Sequence, residues 1–287
     1  LYWLQVGEAV SKQLDIWGTV PQGTKLGVFL FLLMINDLST SAHTYKYVDD
    51  TTLYVVANDP EDKRLQTAVD VVKAWSQDND MKLNSSKTKE MLISFSRPPP
   101  VVPRITIDGC PLDRVECVTL LGVKLTCDLT WEVHVAQILK KAQQRLFTLN
   151  MLRRAKVSAK DIIQIYCSKI RPVLEYASPV WHPGLTKEQS DDIENIQVRA
   201  CKIAFPHLSY EESLLEGDIP TLKSRRIVLC KQLFQKMQSP DDKLNRLLPP
   251  ERENKRNTRN AMKYPLPRTR TQRHKNSFLP FVLYNCQ

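Results

Sequence analysis

Three pairs of adjacent aspartates stand in this sequence: Asp49-Asp50, Asp191-Asp192 and Asp241-Asp242. Two neighbouring carboxylates repel each other unless a cation neutralises them, and hard divalent ions such as Mg²⁺ prefer oxygen donors of this kind. Ions bridged by carboxylates are a recurrent device for phosphoryl transfer. The second and third pairs fall in polar stretches that read as helix or loop. Asp49-Asp50 differs, because strand-forming residues flank it on both sides. Tyr45-Lys46-Tyr47-Val48 precede it, and Thr51-Thr52-Leu53-Tyr54-Val55-Val56 follow. Aromatic and β-branched runs this close together predict a β-hairpin with both carboxylates at its turn. On the residues alone, that turn reads either as a divalent-metal site or as an ordinary polar turn.

The elements that must position this pair follow from periodicity. Leu26 to Ile35 is a ten-residue apolar run, longer than most strands, and predicts a buried helix after the Pro21-Gln22-Gly23 turn. Asp59-Pro60 offers an N-cap followed by proline at the first helical position, with Leu65, Val69, Val72 and Trp75 at helical spacing, so a helix is expected over 60–78. Lys82 to Thr88 reads as a turn, and Met91, Ile93 and Phe95 alternate as one face of a strand. Four prolines between Arg97 and Pro103 mark a loop, and short strands are expected up to about 126. Beyond that the period becomes helical. Trp131, Val135, Ile138, Ala142, Leu146, Leu149 and Leu152 form one stripe. Ser158 with Asp161 and Thr186 with Gln189 resemble helix-opening capping boxes, and 221–238 reads as a further helix. The expected fold class is α+β. Residues 1–126 would form a mixed domain, 127–248 an all-helical region, and 249–287 a basic, proline-containing flexible tail.

With 287 residues, 42% of them hydrophobic and 25% charged, the composition excludes a fibrous or mostly disordered chain. The apolar run is too short to span a bilayer, so no membrane partner is expected. The first residues, Leu1-Tyr2-Trp3-Leu4, show no signal-peptide pattern and read like the middle of a longer protein. Seven cysteines, widely spaced and without a Cys-x-x-Cys pair, support neither a zinc knuckle nor a disulfide-linked partner, and a reducing intracellular compartment is expected. The net charge of +10 is concentrated in two blocks. Residues 137–171 hold nine basic residues against one acidic, and 251–275 hold nine against two. Basic blocks beside a neutral or acidic remainder suit contact with a phosphate backbone, or else a solvated basic face.

A series of motifs adds to this reading. Val20-Pro21-Gln22-Gly23-Thr24-Lys25-Leu26-Gly27 comes first, followed by Leu30-Phe31 and Ile35-Asn36-Asp37-Leu38, then Tyr47-Val48-Asp49-Asp50. Leu83-Asn84-Ser85-Ser86-Lys87-Thr88-Lys89 and Leu120-Leu121-Gly122 complete it. In order and spacing these resemble the reverse transcriptase of non-LTR (LINE-type) retrotransposons. The helical half is similar to the same family's region after the palm, through Arg171-Pro172-Val173-Leu174-Glu175-Tyr176-Ala177, Val180-Trp181, Ile193-Glu194, Gln197 and Arg199-Ala200. The resemblance covers about residues 1–240. It implies part of a right-hand polymerase palm, a β-hairpin with flanking helices, followed by an all-helical thumb and post-thumb region.

The resemblance also implies roles. Asp49 would be the principal ligand of two catalytic Mg²⁺ ions and Asp50 a supporting one. Gln22 and Gly23 would line the pocket for the incoming dNTP and the template base, where a backbone without a Cβ permits close approach. Lys87 would neutralise or protonate the leaving pyrophosphate. Leu121 and Gly122 would lie in the primer grip. Lys140, Lys141, Arg145, Arg153 and Arg154 would face the phosphates of an RNA template and a DNA primer. In a full-length protein this is RNA-directed DNA polymerase, at work in the nucleus and/or cytoplasm as a ribonucleoprotein.

Departures temper the expectation. Thr19 stands where the family usually has glycine, and Val28 where it usually has proline. The family's catalytic aspartate on the first palm strand lies upstream of the Pro-Gln-Gly motif, and Asp15 has neither its motif nor its distance. Without that third carboxylate the isolated chain is expected to lack useful polymerase activity. The alternative expectation is a catalytically dead nucleic-acid-binding remnant.

Overall fold

Apolar helix, hairpin, amphipathic helix and short strands follow one another through the first part of the chain, as the periodicities require. The computed structural model describes residues 5–12, 25–252 and 262–286. Gln22, Gly23, Asp15 and Thr19 lie outside them. The chain divides into two units, residues 1–115 and 116–287.

In the first unit, β1 (Gln5–Val6) pairs antiparallel with β2 (Ala9–Val10). Helix α1 spans Lys25–Ile35. Its run of large apolar residues was expected to be buried, yet Leu26, Val28, Phe29, Leu30, Leu32 and Leu33 are all 41–60% exposed. Among the described side chains of this segment, only Ile35 and, just beyond the helix, Leu38 are buried, at the end that Lys46 and Trp75 contact. Strands β3 (His43–Tyr47) and β4 (Asp50–Tyr54) form the expected hairpin. Helix α2 covers Arg64–Asp78, starting a turn later than expected. Asp59 accepts from the Glu61 N–H, and Asp62 from the Arg64 N–H, so the acidic residues cap a turn and delay the helix.

The strand expected over Met91–Phe95 does not form. Pairing stops at β5 (Lys89–Glu90), which runs parallel to β8 (Asp113–Arg114), while β6 (Thr106–Ile107) pairs with β7 (Cys110–Pro111). These are separate two-stranded ladders, so alternation at 91–95 finds no neighbour to pair with. The Glu90 carboxylate replaces some of that pairing: it receives Arg114 at 2.8 Å and the Ile105 N–H. The side-chain amide of Gln66 mimics a strand against Thr106, donating to its carbonyl and accepting from its N–H.

The second unit opens with the hairpin of β9 (Cys117–Leu120) and β10 (Val123–Thr126) and continues as helices. Helix α3 (Glu132–Arg154) buries Val135, Ile138, Ala142, Leu146 and Leu149, the stripe expected from sequence. Helix α4 (Ala159–Ile165) passes through a π-helical turn, Tyr166–Ile170, into α5 (Arg171–Glu175). Helix α6 (Ser178–Trp181), α7 (Lys187–Ala204), α8 (Tyr210–Glu216) and α9 (Leu222–Met237) complete the core, with Trp181, Ile193, Ala200 and Leu222 fully buried. Thr186 and Gln189 form a complete capping box at α7, and Thr221 caps α9.

The tail expected over 249–287 is packed where it is described. Helices α10 (Gln272–Lys275) and α11 (Phe278–Asn285) follow an extended stretch. Tyr264, Val282 and Leu283 are buried against Cys230 and Phe234 of α9. The basic, proline-containing composition concealed an apolar anchor. The hairpin β9–β10 contacts α3, so the division at 115/116 falls ahead of the boundary expected at 126.

Candidate active site

The carboxylate pair sits at the tip of β3–β4. Tyr47 pairs with Asp50, so the two turn residues are Val48 and Asp49 rather than Asp49 and Asp50. Val48 adopts φ 53°, the left-handed conformation that a two-residue hairpin demands, and this fixes the register one residue earlier than expected. Asp49 therefore stands at the tip and Asp50 on the first strand position. Both are exposed, and no hydrogen bond or ion pair engages either carboxylate among the described residues.

Two contacts orient the hairpin. The Lys46 ammonium donates to the carbonyls of Ile35, Asn36 and Leu38 at 2.7, 3.2 and 3.0 Å. The Ile35 carbonyl ends α1 and the other two follow it directly, and a cation there suits the negative end of the helix dipole. The Trp75 indole N–H donates to Asp37 at 2.8 Å and draws α2 onto the same segment. The Ile35-Asn36-Asp37-Leu38 motif thus anchors β3 to α1 and α2. Sequence reading missed both contacts, although a lysine in a strand beside a helix end was a visible signal.

Lys87 lies in a turn built by Asn84, whose side chain accepts from the Ser86 hydroxyl and the Lys87 N–H. Its ammonium is exposed, and no hydrogen bond or ion pair joins it to Asp49 or Asp50. Among the described residues no group of three or more His, Cys, Asp or Glu side chains could hold a metal ion. The donor chemistry of Asp49 and Asp50 suits a hard divalent ion, but two carboxylates alone do not complete a two-ion site.

In the second unit, Leu121 and Gly122 form the turn between β9 and β10. Lys140, Lys141, Arg145, Arg153 and Arg154 are all exposed on α3. Two of them also bind backbone: Arg145 donates to the Lys169 carbonyl, and Arg153 to that of Ala204 at 3.5 Å. Lys140, Lys141 and Arg154 have no such partner among the described residues, which leaves them available to an anionic ligand.

The post-palm motifs prove to be joints. Glu194 accepts from the N–H groups of Leu222 and Lys223 at 3.0 Å each and from the Tyr210 hydroxyl, thereby capping α9 from α7. Gln197, fully buried, accepts from Tyr166 at 2.8 Å and donates to Tyr210 and the Pro220 carbonyl at 3.0 Å. Burial first, and then the Glu194 hydrogen bond, raise the Tyr210 hydroxyl above its ordinary value, so it is a donor throughout the accessible pH range. His182 is held below the ordinary histidine range, at about 4, first by burial and then by the Arg226 charge. All seven cysteines are free, and no helix among the described residues is long and apolar enough to cross a membrane.

Residues 2–125 match the family described as Reverse transcriptase (RNA-dependent DNA polymerase). The chain is similar to transposon-encoded RNA-directed DNA polymerases, in agreement with the resemblance carried by its motifs. Relatives in Drosophila melanogaster are "Probable RNA-directed DNA polymerase from transposon BS", 26% identical over 64% of this chain and 22% of the relative, and "Probable RNA-directed DNA polymerase from transposon X-element", 25% identical over 68% and 22%. "RNA-directed DNA polymerase from mobile element jockey" of Drosophila funebris is 26% identical over 56% of this chain and 19% of its own length. The chain thus spans about a fifth of the length of the curated relatives it matches. No solved structure matches it.

Proposed function

We propose that this chain is the rear of the palm and the thumb of an RNA-directed DNA polymerase of a non-LTR retrotransposon, which extends a DNA primer on an RNA template using dNTPs. The observation that carries the reading is the hairpin of the Tyr47-Val48-Asp49-Asp50 motif. It presents two exposed carboxylates, with which no cation pairs among the described residues, inside the segment that matches the reverse transcriptase family.

Asp49 at the tip is the principal ligand of Mg²⁺ and Asp50 the supporting one. When bound, the ion supplies positive charge against the triphosphate. Lys46 ties the hairpin to the end of α1, and both carboxylates at its tip are exposed. Gln22 and Gly23 line the pocket for the nucleotide and template base, and Lys87 neutralises the departing pyrophosphate. The Leu121–Gly122 turn contacts the primer, while Lys140, Lys141 and Arg154, assisted by Arg145 and Arg153, track the phosphates. The palm portion ends at the β9–β10 hairpin and the thumb begins with α3.

Primer extension on an RNA template, with Mg²⁺ and dNTPs, by a full-length polymerase that contains this chain and its Asp49→Asn variant, tests the reading. Extension that disappears in Asp49→Asn while hybrid binding persists supports it. Binding that is indifferent to Asp49→Asn, with no extension in either protein, overturns the catalytic reading and leaves a nucleic-acid binder.

A further inference from the structure

The β9–β10 turn is strained and exposed. Leu121 has φ 46° and Gly122 φ 84°, the paired left-handed geometry of a two-residue hairpin turn. Glycine adopts it freely, but leucine carries a Cβ that crowds its own backbone, at a cost of about 1–2 kcal/mol. Little burial compensates, because Leu121 is 44% exposed as a residue.

What holds the turn is Tyr176. Its hydroxyl donates to the Leu121 carbonyl at 2.8 Å. Its ring lies over Gly122, where a Cβ would meet Cε1 at 3.3 Å. Tyr176 is itself fixed from three sides. The Trp181 indole donates to its carbonyl at 3.0 Å, and Ala177 turns the chain sharply at φ 52°. On the preceding residue, the Glu175 carboxylate is gripped by Arg225, with Arg171 3.9 Å away. Two residues beyond Gly122, the Lys124 N–H donates to Nδ1 of buried His134 at 3.3 Å. Yet the Tyr176 side chain remains exposed, at 55% for the residue. An exposed tyrosine closing on an exposed, strained turn adds little to a core. Strain of this kind persists where a backbone shape is needed for a ligand.

We infer that Tyr176 is a positioning residue that holds the Leu121–Gly122 turn in the shape that receives the 3′ end of a nucleic-acid primer. The inference rests on the proposed reading of that turn as a primer contact. Tyr176 touches the turn and not the reacting atoms, so its loss acts on end recognition rather than on general affinity.

The test compares the full chain with Tyr176→Phe and Gly122→Ala. Tyr176→Phe deletes one hydroxyl at an exposed position, whereas Gly122→Ala pushes a methyl group toward the ring at a left-handed residue. Fluorescence anisotropy measures affinity for an RNA template bearing a recessed DNA 3′ end and for a blunt RNA/DNA duplex of equal length, with circular dichroism melting to verify folding. The wild type is expected to prefer the recessed end. Tyr176→Phe should lower that preference about fivefold, with unchanged affinity for the blunt duplex. Gly122→Ala should act in the same direction. A preference retained in both variants overturns the inference and leaves the function reading intact. Equal weakening on both ligands makes Tyr176 a general structural residue and also overturns it. A wild type without end preference defeats the primer-contact reading, and the inference with it.

Discussion

The Lys46 ammonium lies 2.7 Å from the Ile35 carbonyl oxygen, so a strand residue of the aspartate hairpin closes the end of the helix before it. Lys46→Met keeps most of the aliphatic stem and removes three charge-assisted hydrogen bonds. Exposure of the side chain limits the loss to about 1 kcal/mol. The expected result is faster amide hydrogen exchange over 43–54, with protection in α3 and α7 unchanged. Identical exchange in the hairpin would assign its order to the β3–β4 ladder alone.

The Glu194 carboxylate gives a second prediction. It receives two N–H groups at the start of α9 and the Tyr210 hydroxyl, joining three helices through one side chain. Glu194→Ala should destabilise the helical unit by about 2–3 kcal/mol, because α9 loses a cap and a half-buried hydroxyl loses its acceptor. Gln197→Leu should cost a similar amount by orphaning the buried Tyr166 hydroxyl, and the double variant should cost less than the sum, since both act on Tyr210. Urea unfolding with a double-mutant cycle measures this. Strict additivity would show that the two residues act independently.

How much of this could be read from sequence depended on distance along the chain. The capping box of Thr186 and Gln189 is a local hydrogen-bond pattern, and the stripe from Val135 to Leu149 is a local period, so both were legible. The hairpin was legible as an element, but its register was not, because the left-handed conformation fell on Val48 where no glycine or asparagine announced it. Asp37 with Trp75, Glu194 with Leu222 and Tyr176 with Leu121 join residues far apart in sequence, and no periodicity encodes them. The residues after 262 were misread for a related reason. Their local composition is basic and proline-containing, while the partners that bury Tyr264 and Val282 lie back in α9.

His182 gives a pH prediction. Its Nδ1 accepts from Nε of the buried Arg226 guanidinium at 3.3 Å, so protonation would remove the acceptor and set two cations side by side. The folded-state value of about 4 lies below the unfolded value of about 6.5. The unfolded chain therefore binds the proton more readily in that window, and stability falls as pH drops from about 6.5 to about 4. The stabilisation is complete above this window, and its loss is complete below it. His182→Gln can still offer an acceptor and cannot titrate. The difference in unfolding free energy between wild type and variant should shift by roughly 2–3 kcal/mol across the window, carboxylate contributions being common to both. A constant difference would show that His182 is not the titrating group.

The solvent-facing side chains of Lys140, Lys141 and Arg154 on α3 yield the last prediction. Having no partner among the described residues, they can be neutralised without breaking a fold contact, unlike Arg145 and Arg153, which bind backbone carbonyls. If these cations meet phosphates, replacing all three with glutamine should reduce the release of counterions on binding. The slope of log affinity against log salt for an RNA/DNA hybrid should then become shallower by about 2–3, while the melting temperature stays constant. The weakening should be alike for hybrids of unrelated sequence, since phosphate contacts carry no base information. Arg145→Gln should differ in kind, by releasing the Lys169 carbonyl and lowering thermal stability as well as affinity. An unchanged salt slope in the triple variant would remove the α3 face from the nucleic-acid interface and transfer that role to the basic residues after 251.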